Sequence, residues 1–226
     1  MKKLMHLLTA SLLRWQQGAA RELVEVGSEC EMNSVQSRLR SDILAALSRV
    51  YAEDRELLSD NIDVCERSLM HRFTHYFMDL VESGADGFYE GLHVDGEYNR
   101  HGVDPKRSSN SLIFPDVIVH RRGDDSDNIC VIEFKKSLTT GGKRRIRRTI
   151  GGDVEKLQNM TIPKECGGEF GYQWGVHIVF HVTNDSDSFT GVKMRWFHNG
   201  VGYAEEYQKY SLSLASKGNR RGCVRH

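Results

Sequence analysis

Two acidic side chains and one amine lie within apolar runs near the middle of the chain. Pro115 and Asp116 follow one such run, and Glu133, Phe134 and Lys135 end another. Because side chains alternate faces along a strand, Glu133 and Lys135 are expected to share a face. Mg²⁺ binds through one or two carboxylates and leaves positions for phosphate oxygens. The pattern predicts metal-dependent phosphodiester hydrolysis, in which Lys135 orients or deprotonates the attacking water, or neutralises developing charge.

Two strands must position these groups. Residues 112–118 and 128–136 are rich in apolar and β-branched side chains, and the polar residues 121–127 between them contain Gly123. This arrangement is typical of a hairpin connection. Antiparallel pairing of the two strands would bring Asp116 near Glu133. The alternative is that Glu133 and Lys135 form an ordinary charged strand end at a sheet edge.

A helix is predicted at residues 62–81. Its apolar residues recur at helical spacing and form a stripe of Ile62, Leu69, Phe73, Phe77 and Leu80. Glu66 falls inside this stripe, and a carboxylate on the core-facing side of a helix calls for a role such as a third metal ligand. The alternative is a helix-start carboxylate that pairs with Arg67 or is favoured by the helix dipole.

The chain resembles the PD-(D/E)xK superfamily of restriction-endonuclease-like nucleases. The matching residues are Pro115, Asp116, Glu133 and Lys135, with an apolar run directly before Glu133. The resemblance implies an α/β fold with a restriction-endonuclease-like αβββαβ core, in which helices flank a mixed central sheet. It also implies an endonuclease whose first-choice substrate is DNA.

The metal is expected to be Mg²⁺, for which Mn²⁺ can substitute. Asp116 and Glu133 would hold it, the Phe134 carbonyl would add a ligand, and Glu66 would act directly or through water. Lys135 would serve the attacking water.

A second resemblance covers residues 55–185 and links the chain to small bacterial proteins of the same superfamily. The matching segments are ERS-x-x-HR at 66–72, VDxEYNR at 94–100, PD-x-IVHRRG at 115–123, VIExKK at 131–136 and D-x-x-KL at 153–157. This subgroup implies no firm biochemical assignment. It therefore supports the fold more strongly than any particular substrate.

A further helix is predicted after Gly151 and Gly152, with Asp153 as its N-cap or first-turn acid. Lys156 on the same face has either a structural role or a phosphate-binding role.

The preceding residues 143–148, here called the basic run, are predicted to form a flexible loop. They would bind a phosphate backbone or remain a solvated charge run. The predicted nucleic-acid contacts are Lys136, Lys143, Arg144, Arg145, Arg147, Arg148 and Lys156.

Composition narrows the function classes. Lys and Arg total 31, as do Asp and Glu, so the net charge is zero and excludes a protein that coats DNA by bulk charge.

The scattered histidines lack the paired spacing of a zinc site. Five widely spaced cysteines without a C-x-x-C pair predict free thiols and a cytoplasmic location. The pattern predicts no membrane span, and it leaves open whether the chain forms a homodimer.

Three regions are expected. Residues 1–30 form a peripheral or partly helical extension, residues 31–212 a single nuclease-like domain, and residues 213–226 a disordered basic tail. The first helix of the domain would be capped by Asn33 or Ser34 and carry a stripe of Val35, Leu39, Ile43, Leu47 and Val50.

The predicted elements give the order α-β-β-β-α-β. After the predicted strands at 92–99 and 174–183, a strand near 192–197 and a short helix near 204–210 are expected to follow.

Two other functions remain open from the sequence. One is a catalytically inactive nuclease fold that binds nucleic acid or a protein. The other is a metal-dependent enzyme that acts on another phosphate ester.

Overall fold

The computed structural model describes most of the chain between Val26 and Tyr210. The described residues are 26–58, 64–84, 86–98, 100–101, 104–105, 107–108, 111–112, 114–124, 126–138, 143–182 and 191–210. The predicted disordered tail at 213–226 and residues 1–25 of the predicted extension lie outside these ranges. The chain divides into two compact units, residues 1–41 and 42–226. The larger unit contains the sheet and the candidate site.

The described part of the chain contains three α-helices and ten strands. The helices are α1 (Val26–Glu53), α2 (Glu66–Glu82) and α3 (Lys143–Met160), with 3-10 turns at Arg55–Leu58 and Lys164–Cys166. The strands are β1 (His93–Gly96), β2 (Arg100–His101), β3 (Asp104–Pro105), β4 (Arg107–Ser108), β5 (Ser111–Leu112), β6 (Val117–His120), β7 (Asn128–Leu138), β8 (Trp174–Val182), β9 (Gly191–His198) and β10 (Val201–Lys209).

Six strands form one mixed sheet in the order β1-β6-β7-β8-β9-β10. Only the central pair, β7 and β8, is parallel, and α3 forms the connection between them. The other neighbours in this sheet are antiparallel. The short strands β2 to β5 form two small hairpins between β1 and β6. Without those hairpins, α2 to β8 follow the predicted order α-β-β-β-α-β.

Helices α2 and α3 cover opposite faces of the sheet. The Phe73 ring of α2 packs 4.9 Å from the Phe134 ring, measured between centroids. Leu157 and Met160 of α3 belong to a buried cluster that includes Val131. Val131 and Phe134 are three residues apart in β7, so alternation places them on opposite faces. Strand β7 is therefore buried on both sides, as its continuous apolar run predicted.

Helix α1 is longer than the sequence indicated. It begins at Val26, so Asn33 and Ser34 lie inside the helix and do not cap it. The predicted stripe is confirmed in the larger unit, where Ile43, Leu47 and Val50 are fully buried. None of the described helices has the length and apolar character needed to cross a membrane.

The predicted short helix near residues 204–210 is wrong, because β10 occupies Val201–Lys209. Asn199 and Gly200 both have positive φ angles, 50° and 75°. Two such residues form the tight turn that matches the twist of a β-hairpin, and Asn-Gly is its most favourable sequence. The turn pairs Val201 with His198 and commits the following residues to a strand.

Candidate active site

Strand β7 holds Glu133 and Lys135 at the centre of the sheet. It is flanked by β6 on one side and β8 on the other, and the Glu133 residue is only 3% exposed. The alternative of a charged strand end at a sheet edge is therefore wrong. A buried carboxyl in a central strand requires compensating partners, because desolvation penalises its charged form.

Asp116 lies directly before β6 rather than inside a strand that starts at residue 112. Its neighbour Val117 pairs with Ile132, which places Asp116 beside Glu133 as the antiparallel prediction required. The Asp116 amide donates to Glu133 Oε1 over 3.3 Å. The Asp116 carboxylate Oδ2 accepts a 2.7 Å bond from the Phe134 amide. These two bonds fix both acidic groups at the end of the β6–β7 ladder.

Helix α2 begins at Glu66 and not at the predicted residue 62, so Glu66 is a helix-start residue, and it reaches the same strand. Its Oε1 lies 3.1 Å from Lys135 Nζ, and its Oε2 accepts a 2.9 Å bond from the Lys136 amide. The proposed pairing with the adjacent Arg67 is not observed, because Arg67 pairs with Glu97 over 2.8 Å. Glu66 thus joins the group that the sequence predicted, through contacts with β7.

Helix α3 contributes two further charged residues. Asp153 Oδ2 lies 3.1 Å from Lys135 Nζ. One turn later, Lys156 Nζ lies 2.6 Å from Glu133 Oε1 and donates to the Phe114 carbonyl over 2.7 Å. Because α3 begins at Lys143, Gly151 and Gly152 are interior helix residues. The prediction of Asp153 as an N-cap is therefore wrong, and its carboxylate belongs to the site.

Residues 143–148, the basic run, form the first turns of α3 rather than a flexible loop. The side chains of Lys143, Arg144, Arg145, Arg147 and Arg148 lie outside the described part of the structure, so their contact with phosphate stays a prediction. Lys136, also predicted to bind nucleic acid, donates from Nζ to the Val64 carbonyl over 3.1 Å.

Burial controls the protonation of the acidic groups. Desolvation raises the pKa of Glu133 to about 8, against the attraction of the Lys156 ammonium. Desolvation also raises the pKa of Asp116 and of Asp153 above their ordinary values. Burial lowers the pKa of Lys135, but the carboxylates of Glu66 and Asp153 raise it by more, so the net shift is upward. Lys135 is therefore an ammonium at neutral pH.

His177 is a buried neighbour that sequence reasoning missed. It pairs in register with Glu133 and has no exposed surface. Neither ring nitrogen has a hydrogen-bond partner among the residues that the structure describes, and Nε2 lies 3.8 Å from Asp153 Oδ2. Burial and the nearby Lys135 charge lower the pKa of His177 to about 4, so the ring is neutral at pH 7. The parallel pairing of β7 and β8 creates this contact, and no local sequence signal encodes that register.

The donor set fits a hard divalent cation. We call Glu66, Asp116, Glu133 and Asp153 the carboxylate cluster. Fully ionised, these four groups exceed the two ammonium groups of Lys135 and Lys156 by two negative charges. Carboxylate oxygens are the ligands that Mg²⁺ prefers. Among the described residues, however, no three His, Cys, Asp or Glu side chains are already arranged as a metal site. A cation that bound Glu133 Oε1 would have to displace the Lys156 ammonium from that oxygen.

Comparisons with known proteins add no assignment. The chain matches no protein-family model, no curated protein and no solved structure.

Proposed function

We propose that this protein is a Mg²⁺-dependent phosphodiester hydrolase of the restriction-endonuclease-like type, with DNA as its first-choice substrate. The observation that carries the proposal is the position of Asp116 beside the buried Glu133, joined by the 3.3 Å bond from the Asp116 amide. Each acidic group comes from a different strand segment, and the pair would be costly to ionise without a bound cation. The order of elements from α2 to β8 agrees with an αβββαβ core.

Asp116 and Glu133 would hold the metal, and the Phe134 carbonyl would add a ligand from the strand between Glu133 and Lys135. Glu66 would act directly or through water. Bound Mg²⁺ would lower the pKa of a coordinated water and offset charge on the phosphate.

The protonation of Lys135 limits its role. Because the Glu66 and Asp153 carboxylates raise its pKa, its ammonium orients the attacking water or neutralises developing charge. Deprotonation of the water by Lys135 would first require loss of that proton. Of the roles predicted from the sequence, the structure therefore favours the electrostatic ones.

DNA is the first substrate to test because the family that this chain resembles acts chiefly on DNA, and a phosphate backbone attracts clustered cations whatever its sequence. The basic run begins the helix that also carries Asp153 and Lys156. These two residues contact Lys135 and Glu133, so the helix links the basic run to the site.

The test combines metal binding with cleavage. Calorimetric titration with Mn²⁺ should give binding that disappears in Asp116→Asn, while Asp124→Asn in the β6–β7 connection retains it. Plasmid, single-stranded DNA, RNA and nucleotide monoesters should be incubated with both variants and the unsubstituted protein. Metal-dependent cleavage of DNA that Asp116→Asn abolishes supports the proposal. Absence of metal binding to the unsubstituted protein would exclude it.

A second candidate function is a non-catalytic module that retains this fold. The observation in its favour is the ion pair between Lys156 and Glu133, which neutralises the most buried acid without a metal. A protein that binds DNA without Mn²⁺ and cleaves none of the four substrates would be such a module.

A further inference from the structure

A cavity lies beside the carboxylate cluster. Its volume is about 290 Å³, and its walls are Cys65, Glu66, Arg67, Met70, Glu97 and Asp116. Two of these residues, Glu66 and Asp116, belong to the carboxylate cluster. The cavity is therefore an open space of molecular size that shares a wall with the proposed reaction centre.

Arg67 is the cationic residue of this wall. Its side chain is 66% exposed, and one guanidinium nitrogen lies 2.8 Å from Glu97 Oε1. Exposed ion pairs of this kind are weak, so a stronger ligand can replace the carboxylate. The guanidinium presents several donors in a planar fork that matches phosphate oxygens.

Glu97 is held in an unusual backbone conformation next to Asp116. Its φ angle is 50°, a left-handed value that is unfavourable for a non-glycine residue. Its amide donates to the Asp116 carbonyl over 3.0 Å. This hydrogen bond therefore fixes the position of Glu97, the partner of Arg67, relative to the backbone of Asp116, a proposed metal ligand.

The pairing also joins two sequence motifs of which the proposed reaction uses only Glu66. Arg67 belongs to the segment at residues 66–72, and Glu97 belongs to the segment at residues 94–100. The structure brings them together at the rim of one cavity.

Charge decides when an anion can enter. The walls carry three carboxyl groups and one guanidinium, so the cavity repels phosphate in the absence of a cation. A divalent ion at Asp116 would offset that repulsion. Phosphate binding at Arg67 is therefore expected to depend on the ion.

We infer that this cavity is a subsite for a second phosphate of the nucleic-acid strand, next to the one that is cleaved, with Arg67 as its ligand. Glu97 holds the guanidinium in place until the phosphate replaces it. This inference rests on the proposed function.

The test measures the equilibrium binding of a fluorescent single-stranded DNA of 12 nucleotides. The binding is measured in the presence of Ca²⁺ at a series of salt concentrations. Arg67→Gln should weaken binding about tenfold and reduce the slope of log K against log salt by about 0.7, the effect of one lost phosphate contact. Arg67→Lys should restore the slope. Glu97→Gln should bind at least as tightly as the unsubstituted protein. Arg49→Gln is the matched control, because Arg49 is also an exposed arginine paired with acids, Glu53 and Asp79.

The outcomes separate the two proposals. If the unsubstituted protein binds the DNA but Arg67→Gln leaves affinity and slope unchanged, the subsite is wrong and the proposed function stands. If the unsubstituted protein fails to bind the DNA in the presence of any divalent ion, both the subsite and the proposed function are overturned. A loss of affinity in Arg67→Gln with an unchanged salt slope would indicate a structural role and overturn the subsite.

Discussion

The ammonium nitrogen of Lys156 lies 2.6 Å from Oε1 of Glu133, the most buried acid of the carboxylate cluster. Lys156 comes from α3, while Glu133 lies in the central strand β7. This lysine is an internal counter-ion of a proposed metal ligand. A divalent cation that bound Glu133 Oε1 would have to displace Lys156 from that oxygen, so we expect Lys156 to compete with the metal.

Removal of this competitor should strengthen metal binding. We expect Lys156→Met to raise Mn²⁺ affinity about tenfold at pH 9, because a nearby positive charge repels the ion. Loss of Lys156 also raises the pKa of Glu133, so the titration is made above the value of about 8 that this carboxyl has in the unsubstituted protein. Calorimetric titration measures the change. Lys193→Met is the control, since Lys193 forms an equally short pair with Glu205 outside the site. Equal affinity in Lys156→Met and the unsubstituted protein would contradict the competition.

Lys135 should be required for turnover but not for folding. Lys135→Ala removes the ammonium held by Glu66 and Asp153, and we expect metal-dependent cleavage to fall by on the order of 10² to 10⁴. Circular dichroism should retain the spectrum of the unsubstituted protein. Lys193→Ala again serves as the control for loss of one lysine. Unchanged cleavage in Lys135→Ala would exclude the assigned role.

Metal binding should strengthen as the pH rises. Burial raises the pKa of Glu133 to about 8, so below that pH the metal must displace a proton. We expect Mn²⁺ affinity to rise up to about tenfold per pH unit between pH 6 and 8 and to level off above pH 8. Titrations in buffers with different ionisation enthalpies would measure the protons released. A flat profile across this range would show that Glu133 is not a ligand.

The helical position of Gly152 can be tested through stability. Both Gly151 and Gly152 lie inside α3, and a Cβ atom at either would meet no atom within 4 Å. We expect Gly152→Ala to raise the free energy of unfolding by about 0.5 to 1 kcal/mol, measured by urea denaturation. A helix that begins after Gly152 would not show this gain.

Gly168→Ala is the opposite case. Its Cβ would lie 1.9 Å from the Ile162 carbonyl oxygen, so the backbone must move. A loss of about 1 to 3 kcal/mol is expected.

The sequence predicted the contacts that depend on strand alternation. Placement of Asp116 beside Glu133 needs only the hairpin connection and antiparallel pairing, both of which local residues encode. Burial of β7 on both faces likewise follows from its continuous apolar run.

The role of Asp153 could not be predicted in the same way. Two glycines before it favour a helix start, but α3 continues through them despite their low helical propensity. The contact with His177 depends on the parallel register of β7 and β8, which only the folded sheet fixes. The wrong prediction of a helix near residues 204–210 has a different cause. The sequence contains Asn199–Gly200, and the turn preference of this pair is sufficient to predict a β-hairpin there.

The carboxylate cluster comes from residues 66, 116, 133 and 153, on two helices and two neighbouring strand segments. Such a centre depends on contacts between distant parts of the chain, and these form late because loop closure must come first. A nascent or partly unfolded chain therefore lacks the assembled centre. Under the proposed function, hydrolytic capacity would arise only when both helices have docked on the sheet, so unfinished molecules would leave the surrounding nucleic acid intact.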